Sequence, residues 1–274
     1  MNQVKLKAIA LLVGSVGLLV AAGAGETAED AADFDRSAAL AVSQAAIGTA
    51  VGDQRFRSIN GEQVSLSRYR GKPLVISLIY TSCYHICPTT TRHLAEVVKK
   101  ARRVLGADSF HVVTLGFDAA NDTPERMRVF AAEQGVEPRG WDFLSGDQAS
   151  IDALAATLGF LYYSTPSGFD HLIQSTIIDA EGSVFRQVYG IQFDTPHLIE
   201  PLKVLVFGEQ ESASLLDQIT ARVKLFCTVY DPASDSYRFD YSIFVGLATG
   251  ILLGGWFLYL LYREWTSSRR SGAG

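Results

Sequence analysis

Apolar and polar residues follow two different periods along this chain, and the changes of period mark its elements. An Ala-rich stretch suits a short helix around 38–47. RFRSINGEQVSL then alternates about Asn60-Gly61, a pair that favours the tight turn of a β-hairpin. PLVISLIY, residues 73–80, is a continuous apolar and β-branched run, which predicts a strand covered on both faces. From Pro88 to Leu105 the positions Leu94, Val97, Val98, Ala101 and Leu105 share one helical face, with proline suited to the start and Gly106 to the end. Lys99, Lys100, Arg102 and Arg103 complement the dipole near the end of that helix. A strand is predicted over 110–117. One helix is capped at Thr123-Pro124-Glu125 and runs to Gly135; another starts at Asp147 and stops at Gly159. Residues 172–178 and 184–189 read as a hairpin about Ala180-Glu181-Gly182. This alternation predicts one α/β domain with helices on both faces of a sheet, without internal repeats.

Two stretches have a different character. Residues 8–25 carry no charge, follow Lys5 and Lys7, and contain Ala22-Gly23-Ala24, the small-x-small pattern of a cleavage site. They read as a secretory signal, with an uncleaved anchor as the alternative, because a run of this length nearly spans a bilayer. Residues 241–262 are also uncharged and are followed by Arg263, Arg269 and Arg270. Some twenty helical residues rise about 30 Å, the thickness of a hydrocarbon core. Tyr241, Trp256, Tyr259, Tyr262 and Trp265 supply aromatic residues for an interfacial belt, and the arginines favour the cytoplasmic side. The expected organisation is a signal over 1–24, a linker over 25–52, a folded domain over 53–207 and a juxtamembrane segment over 208–240. A transmembrane helix over 241–262 and a cytoplasmic tail over 263–274 complete it. The domain then lies outside the cytoplasm, held by the C-terminus to a plasma membrane.

Composition narrows the function classes. The chain has 274 residues, 48% hydrophobic and 19% charged, with a net charge of −5, which is the balance of a globular protein. Setting aside the +2 of the N-terminal stretch and the +2 of the tail leaves −9 on the exported part. That acidity argues against a nucleic-acid partner, whose phosphates require clustered Lys and Arg. The 3 cysteines are too few for a disulfide scaffold but sufficient for one redox or metal pair plus a remaining thiol.

The pair is Cys83-Tyr84-His85-Ile86-Cys87-Pro88, between the apolar strand and its helix. Backbone N–H groups and the dipole at a helix start stabilise a thiolate, which is both the nucleophile of disulfide exchange and a soft ligand for Cu(I). The same spacing also fits an ordinary structural disulfide. Among the 5 histidines, His93 falls within the helix, His111 in a strand and His197 in a loop after Pro196. His85 lies inside the Cys loop, and His171 directly precedes a strand of the last hairpin; both remain open as ligands. Cys227, in LFCTVYDP, reads as an idle thiol or as a second metal or thiol-exchange site near the membrane.

YTSCYHICP (80–88), GFDAANDTPE (116–125) and DHLIQSTIIDAEG (170–182) together resemble the three signature blocks of the Sco/SenC family of copper chaperones. The blocks stand in the same order and spacing, and the resemblance extends over roughly 52–199. It implies a thioredoxin-like fold carrying an N-terminal β-hairpin extension. It also implies one copper ion, as Cu(I) or Cu(II), held by Cys83, Cys87 and His171. The implied partner is cytochrome c oxidase subunit II, at its dinuclear copper site, or the factors that assemble it. Asp118 resembles the acidic residue that supports the family's site. His85 stands where many relatives have aspartate, which suggests a transient fourth ligand or an altered reactivity of the sulfurs. The C-terminal span departs from the N-terminal anchor usual in the family, yet either tether leaves the domain beside the membrane, on the periplasmic or extracytoplasmic side of a bacterial inner membrane. Two other readings compete with the metallochaperone. A thiol-disulfide reductase acting on oxidase cysteines needs Cys83 and Cys87 but has no evident use for His171. A peroxide-reducing or redox-sensing thioredoxin relative is the third.

Overall fold

The computed structural model describes residues 34–136, 139–208, 228–232 and 234–271, with side chains as far as Arg263. The expected signal over 1–24 and Cys227 lie outside these residues. The short helix expected within the linker is α1 (Arg36–Ala45), capped by the Asp35 carboxylate on the amides of Ser37 and Ala38. The hairpin about Asn60-Gly61 forms as β1 (Arg55–Ser58) and β2 (Gln63–Ser65), with buried Phe56 opposite buried Val64. The apolar run becomes β3 (Leu74–Ile79), all of it buried, as a strand covered on both faces requires.

Helix α2 (Ile86–Leu105) begins two residues before Pro88, so Cys87 lies inside its first turn. The difference has a simple cause: no amide of the first turn has an intrahelical acceptor, so proline fits anywhere within it. There follow β4 (His111–Gly116), α3 (Pro124–Glu133) capped by Thr123, β5 (Trp141–Ser145) and α4 (Gln148–Thr157) capped by Asp147. Two short strands absent from the sequence reading, β6 (Tyr162–Thr165) and β7 (Gly168–His171), form an antiparallel ribbon of their own. His171 is therefore the last residue of a strand, and the main-sheet hairpin β8 (Gln174–Ile178) and β9 (Val184–Tyr189) starts three residues later.

The seven-stranded sheet runs β2-β1-β5-β4-β3-β8-β9, with β3, β4 and β5 parallel and the other pairs antiparallel. It has the thioredoxin-like arrangement expected, with β1 and β2 added at one edge. The β3-α2-β4 and β4-α3-β5 crossovers step in the same direction along the sheet, and right-handed connections then place α2 and α3 on one face. Arg92 of α2 joins that pairing by donating to Gln134 just beyond α3. Helix α5 (Thr195–Gly208) packs against α2 on the same face. On the other face a buried polar network ties α1 to the sheet. Ser43 bonds Gln174 and Tyr189, and the Gln187 amide reaches the Leu158 carbonyl after α4.

His197 belongs to the first turn of α5 rather than to a loop. Pro201 inside α5 interrupts the apolar periodicity by which a helix is recognised in sequence, so the sequence alone predicts a loop there. A second hairpin, β10 (Thr228–Asp231) and β11 (Ser236–Phe239), lies against this face. Buried Lys203 of α5 donates to the Thr228 carbonyl at 2.6 Å, and Lys100 of α2 pairs with Asp235. Helix α6 (Ser242–Ser271) follows, and its residues 242–263 are long and apolar enough to cross a membrane, with none of that window buried in the protein.

One glycine is decisive for how α1 sits. Gly159, with φ +64°, ends α4 where an added Cβ would stand 2.6 Å from the Val42 carbonyl oxygen and 2.7 Å from the Ser43 Cα. Gly159→Ala is expected to destabilise the domain by at least the ~1–2 kcal/mol of a left-handed backbone, plus the displacement of α1. Chemical denaturation of the full chain in detergent checks this; an unchanged midpoint removes the constraint.

Candidate metal centre

The cysteine loop is shaped by what it joins. β3 delivers the chain at Ile79, the Cys83 amide donates back to the Tyr80 carbonyl at 3.1 Å, and α2 starts at Ile86. This turn brings the Cys87 N–H to 3.4 Å from the Cys83 sulfur. Both cysteines are free thiols; Cys83 is half-buried and Cys87 is buried in the first turn. The Cys87 thiol hydrogen-bonds the Cys83 sulfur, and the amides of Cys87 and His85 and the Tyr80 hydroxyl add to that, holding the Cys83 thiol at about 4 despite partial burial. The same shared proton, together with burial, pushes Cys87 well above the ordinary thiol range. The pair thus titrates as a unit, with the thiolate on Cys83 and the proton on Cys87. Burial, with the bond to Cys83, raises Tyr80 to about 12, so it remains a donor.

His171 reaches the same place from the other side of the chain. The ribbon β6–β7 packs its rings on Phe117, which is fully buried just after β4. Phe117 meets Tyr80 at 5.4 Å, Phe160 at 5.3 Å, Tyr162 at 4.9 Å, Phe169 at 5.2 Å and the His171 imidazole at 5.4 Å, all in tilted or edge-on geometries. Tyr80 also touches His171, edge-on at 6.1 Å, and so contacts both the Cys83 sulfur and the imidazole. His171 Nδ1 lies 2.8 Å from the Leu172 carbonyl and must carry the proton, which leaves Nε2 with its lone pair. Burial holds the imidazole below its usual pKa, and hence neutral, against the opposing pull of the Cys83 charge.

The structure pairs Cys83 with Cys87 and sets His171 within electrostatic reach of Cys83. Among the described residues, no three His, Cys, Asp or Glu side chains converge closely enough to hold a metal ion. Two sulfurs and one imidazole nitrogen are a donor set whose chemistry suits copper. His85 occupies the N-cap position of α2 with its side chain exposed and uncapping, while its carbonyl accepts from Thr89. Asp118 turns the β4–α3 loop by accepting from Asn121 at 2.8 Å. His93 binds the Phe193 carbonyl at 2.8 Å, and His111 packs against Tyr69.

Two residues that matter here escaped the sequence reading. Asp122 is 2% exposed and accepts from the Thr81 amide, the Thr81 hydroxyl and the Asp118 amide, tying the cysteine turn to the β4–α3 loop. It fits only because Gly116 lacks a Cβ, which would stand 2.4 Å from the Asp122 Cβ. Asp-Thr-Pro looks like a helix cap, and that signal masks the inward role of its aspartate. Tyr80 reads as the end of an apolar strand. Gly168 explains its position: at φ +134°, a Cβ there would lie 2.8 Å from the Tyr80 hydroxyl oxygen, so the ribbon can settle on Tyr80 only with glycine.

Beside Cys83 opens a cleft of about 490 Å³ that includes Thr81, Ser82, Pro88 and Val129, with Tyr84 94% exposed at its edge. Thiolate character and access therefore both favour Cys83. With iodoacetamide at about pH 6, Cys83 of the reduced full chain is expected to react at least ~10-fold faster than Cys87, and the rate to fall only as pH drops through the lowered Cys83 pKa. Peptide mass spectrometry after timed quenching checks this; equal modification of the two overturns the assignment of the thiolate.

The family model described as SCO1/SenC matches residues 44–206. The SCO1 protein homolog of Bacillus subtilis (strain 168) is 30% identical over 148 residues, 52% of this chain and 74% of that protein. A crystal structure of a putative electron transfer protein from Aquifex aeolicus VF5 superposes with a TM-score of 0.55 at 26% identity, covering 62% of this chain and 99% of that one. The structure of Bradyrhizobium japonicum ScoI with copper bound shares the fold, at a TM-score of 0.50 and 23% identity over 57% of this chain and 99% of its own. The matched residues run from the end of α1 through the cysteine turn and the His171 ribbon into α5, and the chain belongs to the SCO1/SenC family.

Proposed function

We propose that this protein is a membrane-tethered metallochaperone that carries one copper ion on Cys83, Cys87 and His171. Its recipient is the dinuclear copper site of cytochrome c oxidase subunit II. The observation that carries the reading is the meeting at Tyr80 of a thiolate-bearing cysteine turn and a neutral imidazole with Nε2 free. A disulfide exchanger has no use for that imidazole, whereas two sulfurs and one nitrogen suit Cu(I) and leave Cu(II) accessible. The copper-bound ScoI and the family's link with oxidase assembly support the same choice. Copper is the cargo. Cys83 is ready as a thiolate, Cys87 releases its proton as the ion arrives, and the ribbon supplies His171. Partner thiolates entering through the cleft beside Cys83 replace these ligands one at a time, so the ion is never free. Helix α6 holds the domain on the extracytoplasmic side, its C-terminal end in the cytoplasm, near the recipient.

The low pKa of Cys83 supports a second activity at the same residues. The Cys83 thiolate can attack a partner disulfide to form a mixed disulfide. Cys87 then resolves it, leaving Cys83–Cys87 oxidised and the partner's two thiols reduced, with the Cys87 proton passing to the departing sulfur. The partner gains two electrons from the pair, which prepares it for copper.

His171→Ala in the reduced full chain is expected to weaken copper retention on the order of 100-fold, about 2.8 kcal/mol, with Cys83 alkylation unchanged. Cys227→Ser is expected to leave one copper per chain. Because Cys87 must lose a proton on binding, copper affinity should rise with pH as the pair deprotonates. Competition titration with a chelator measures all three. Full retention by His171→Ala sinks the chaperone site. Mixing the copper-loaded protein with reduced, copper-free subunit II fragment tests delivery; disulfide reduction of an oxidised fragment without copper transfer would favour the reductase.

A further inference from the structure

Away from the cysteine turn, the C-terminal half of α2 and the loop after α3 enclose a cleft of about 560 Å³. Arg92, Lys99, Arg102 and Arg103 line it together with Trp141, and among the described residues Glu96 is the one acid there. Arg102 donates to the Gly140 carbonyl and Arg92 to Gln134, so those two cations are fixed in place, while Lys99 and Arg103 lie exposed. In a chain of net charge −5, this is a local reversal of sign.

The same stretch of α2 holds the hairpin that leads to α6. Lys100 pairs with Asp235 in the β10–β11 turn, and β11 lies against α2. Only Asp240 and Tyr241 separate Phe239, the end of β11, from Ser242, the start of α6, three Cα–Cα steps with a reach of at most about 11 Å. Phe239 meets Tyr241 at 4.9 Å and Phe244 at 6.0 Å, an aromatic group at the mouth of the apolar helix where a bilayer interface falls. The hairpin and this short linker thereby join the cationic end of α2 to the start of the apolar helix.

We propose that this cleft binds the anionic phosphate headgroups of the bilayer that α6 crosses, seating the domain on the membrane by one chosen face. The proposal rests on α6 spanning the membrane. The acidic remainder of the domain is repelled by anionic lipid, so the reversal of sign in one cleft selects the orientation. Cys87 lies 16 residues along α2 from Arg103, about 24 Å. The cysteine turn is therefore at the far end of the helix from the lipid and stays open to a partner.

The test uses the full chain in nanodiscs of phosphatidylcholine, alone or with about a third phosphatidylglycerol. Amine acylation of Lys99, read by peptide mass spectrometry, is expected to slow at least threefold in the anionic discs. That protection should vanish in about 0.5 M salt and in Arg103→Glu. Equal acylation of Lys99 in both kinds of disc overturns the proposal while leaving the span intact. Protection that persists in salt and in Arg103→Glu also overturns it, because the cover is then not electrostatic. Failure of the chain to enter discs at all defeats the membrane reading and this inference with it.

Discussion

The site depends on the burial of one ring. Phe117 stands at the end of the parallel strand β4, its amide bonded to the Ile79 carbonyl at the end of β3, and its ring has no exposure. On it converge rings from the cysteine strand, the segment after α4 and the β6–β7 ribbon. These contacts are edge-on or tilted, the kind of aromatic pairing that contributes about a kilocalorie beyond simple burial. Among the described residues the ribbon pairs with no strand of the main sheet, so this packing, with the Phe169 backbone hydrogen bond to Tyr80, is what gives His171 a place. Sequence separations of more than eighty residues are brought together there without a single side-chain ion pair.

Around that ring the chemistry divides by dielectric. Cys83 is partly open and surrounded by donors, so negative charge concentrates on it. Cys87, four residues on, is enclosed and keeps the proton. His171 is enclosed too, and neutrality suits it because a ligand needs a lone pair rather than a charge. Asp122 provides the rigidity, since its three hydrogen bonds anchor the start of the cysteine turn to the loop after β4. The asymmetry of the two thiols and the neutrality of the imidazole both follow from burial and hydrogen bonding, with no metal needed to impose them.

Elements driven by burial were legible in the sequence. The all-apolar β3, the one-faced α2 apart from its first two residues, the caps at Thr123 and Asp147 and the Asn60-Gly61 hairpin appear where periodicity and end signals place them. What escaped lacks those signals. β6 and β7 form a half-exposed ribbon, so their alternation is blurred, and Pro201 broke the pattern of α5. The cysteine pair could be read from its place between strand and helix. Tyr80, Asp122 and Gly168 could not, because each acts through a close approach between distant segments that no local pattern encodes.

The bond that fixes His171 has its acceptor on the main chain, at Leu172. A carboxylate in that role could be lost by a single codon change; a peptide carbonyl is retained whatever side chain position 172 carries. The choice of ring nitrogen is thus insulated from mutation, and variation around the site can alter its affinity or its partner without reversing which nitrogen faces inward.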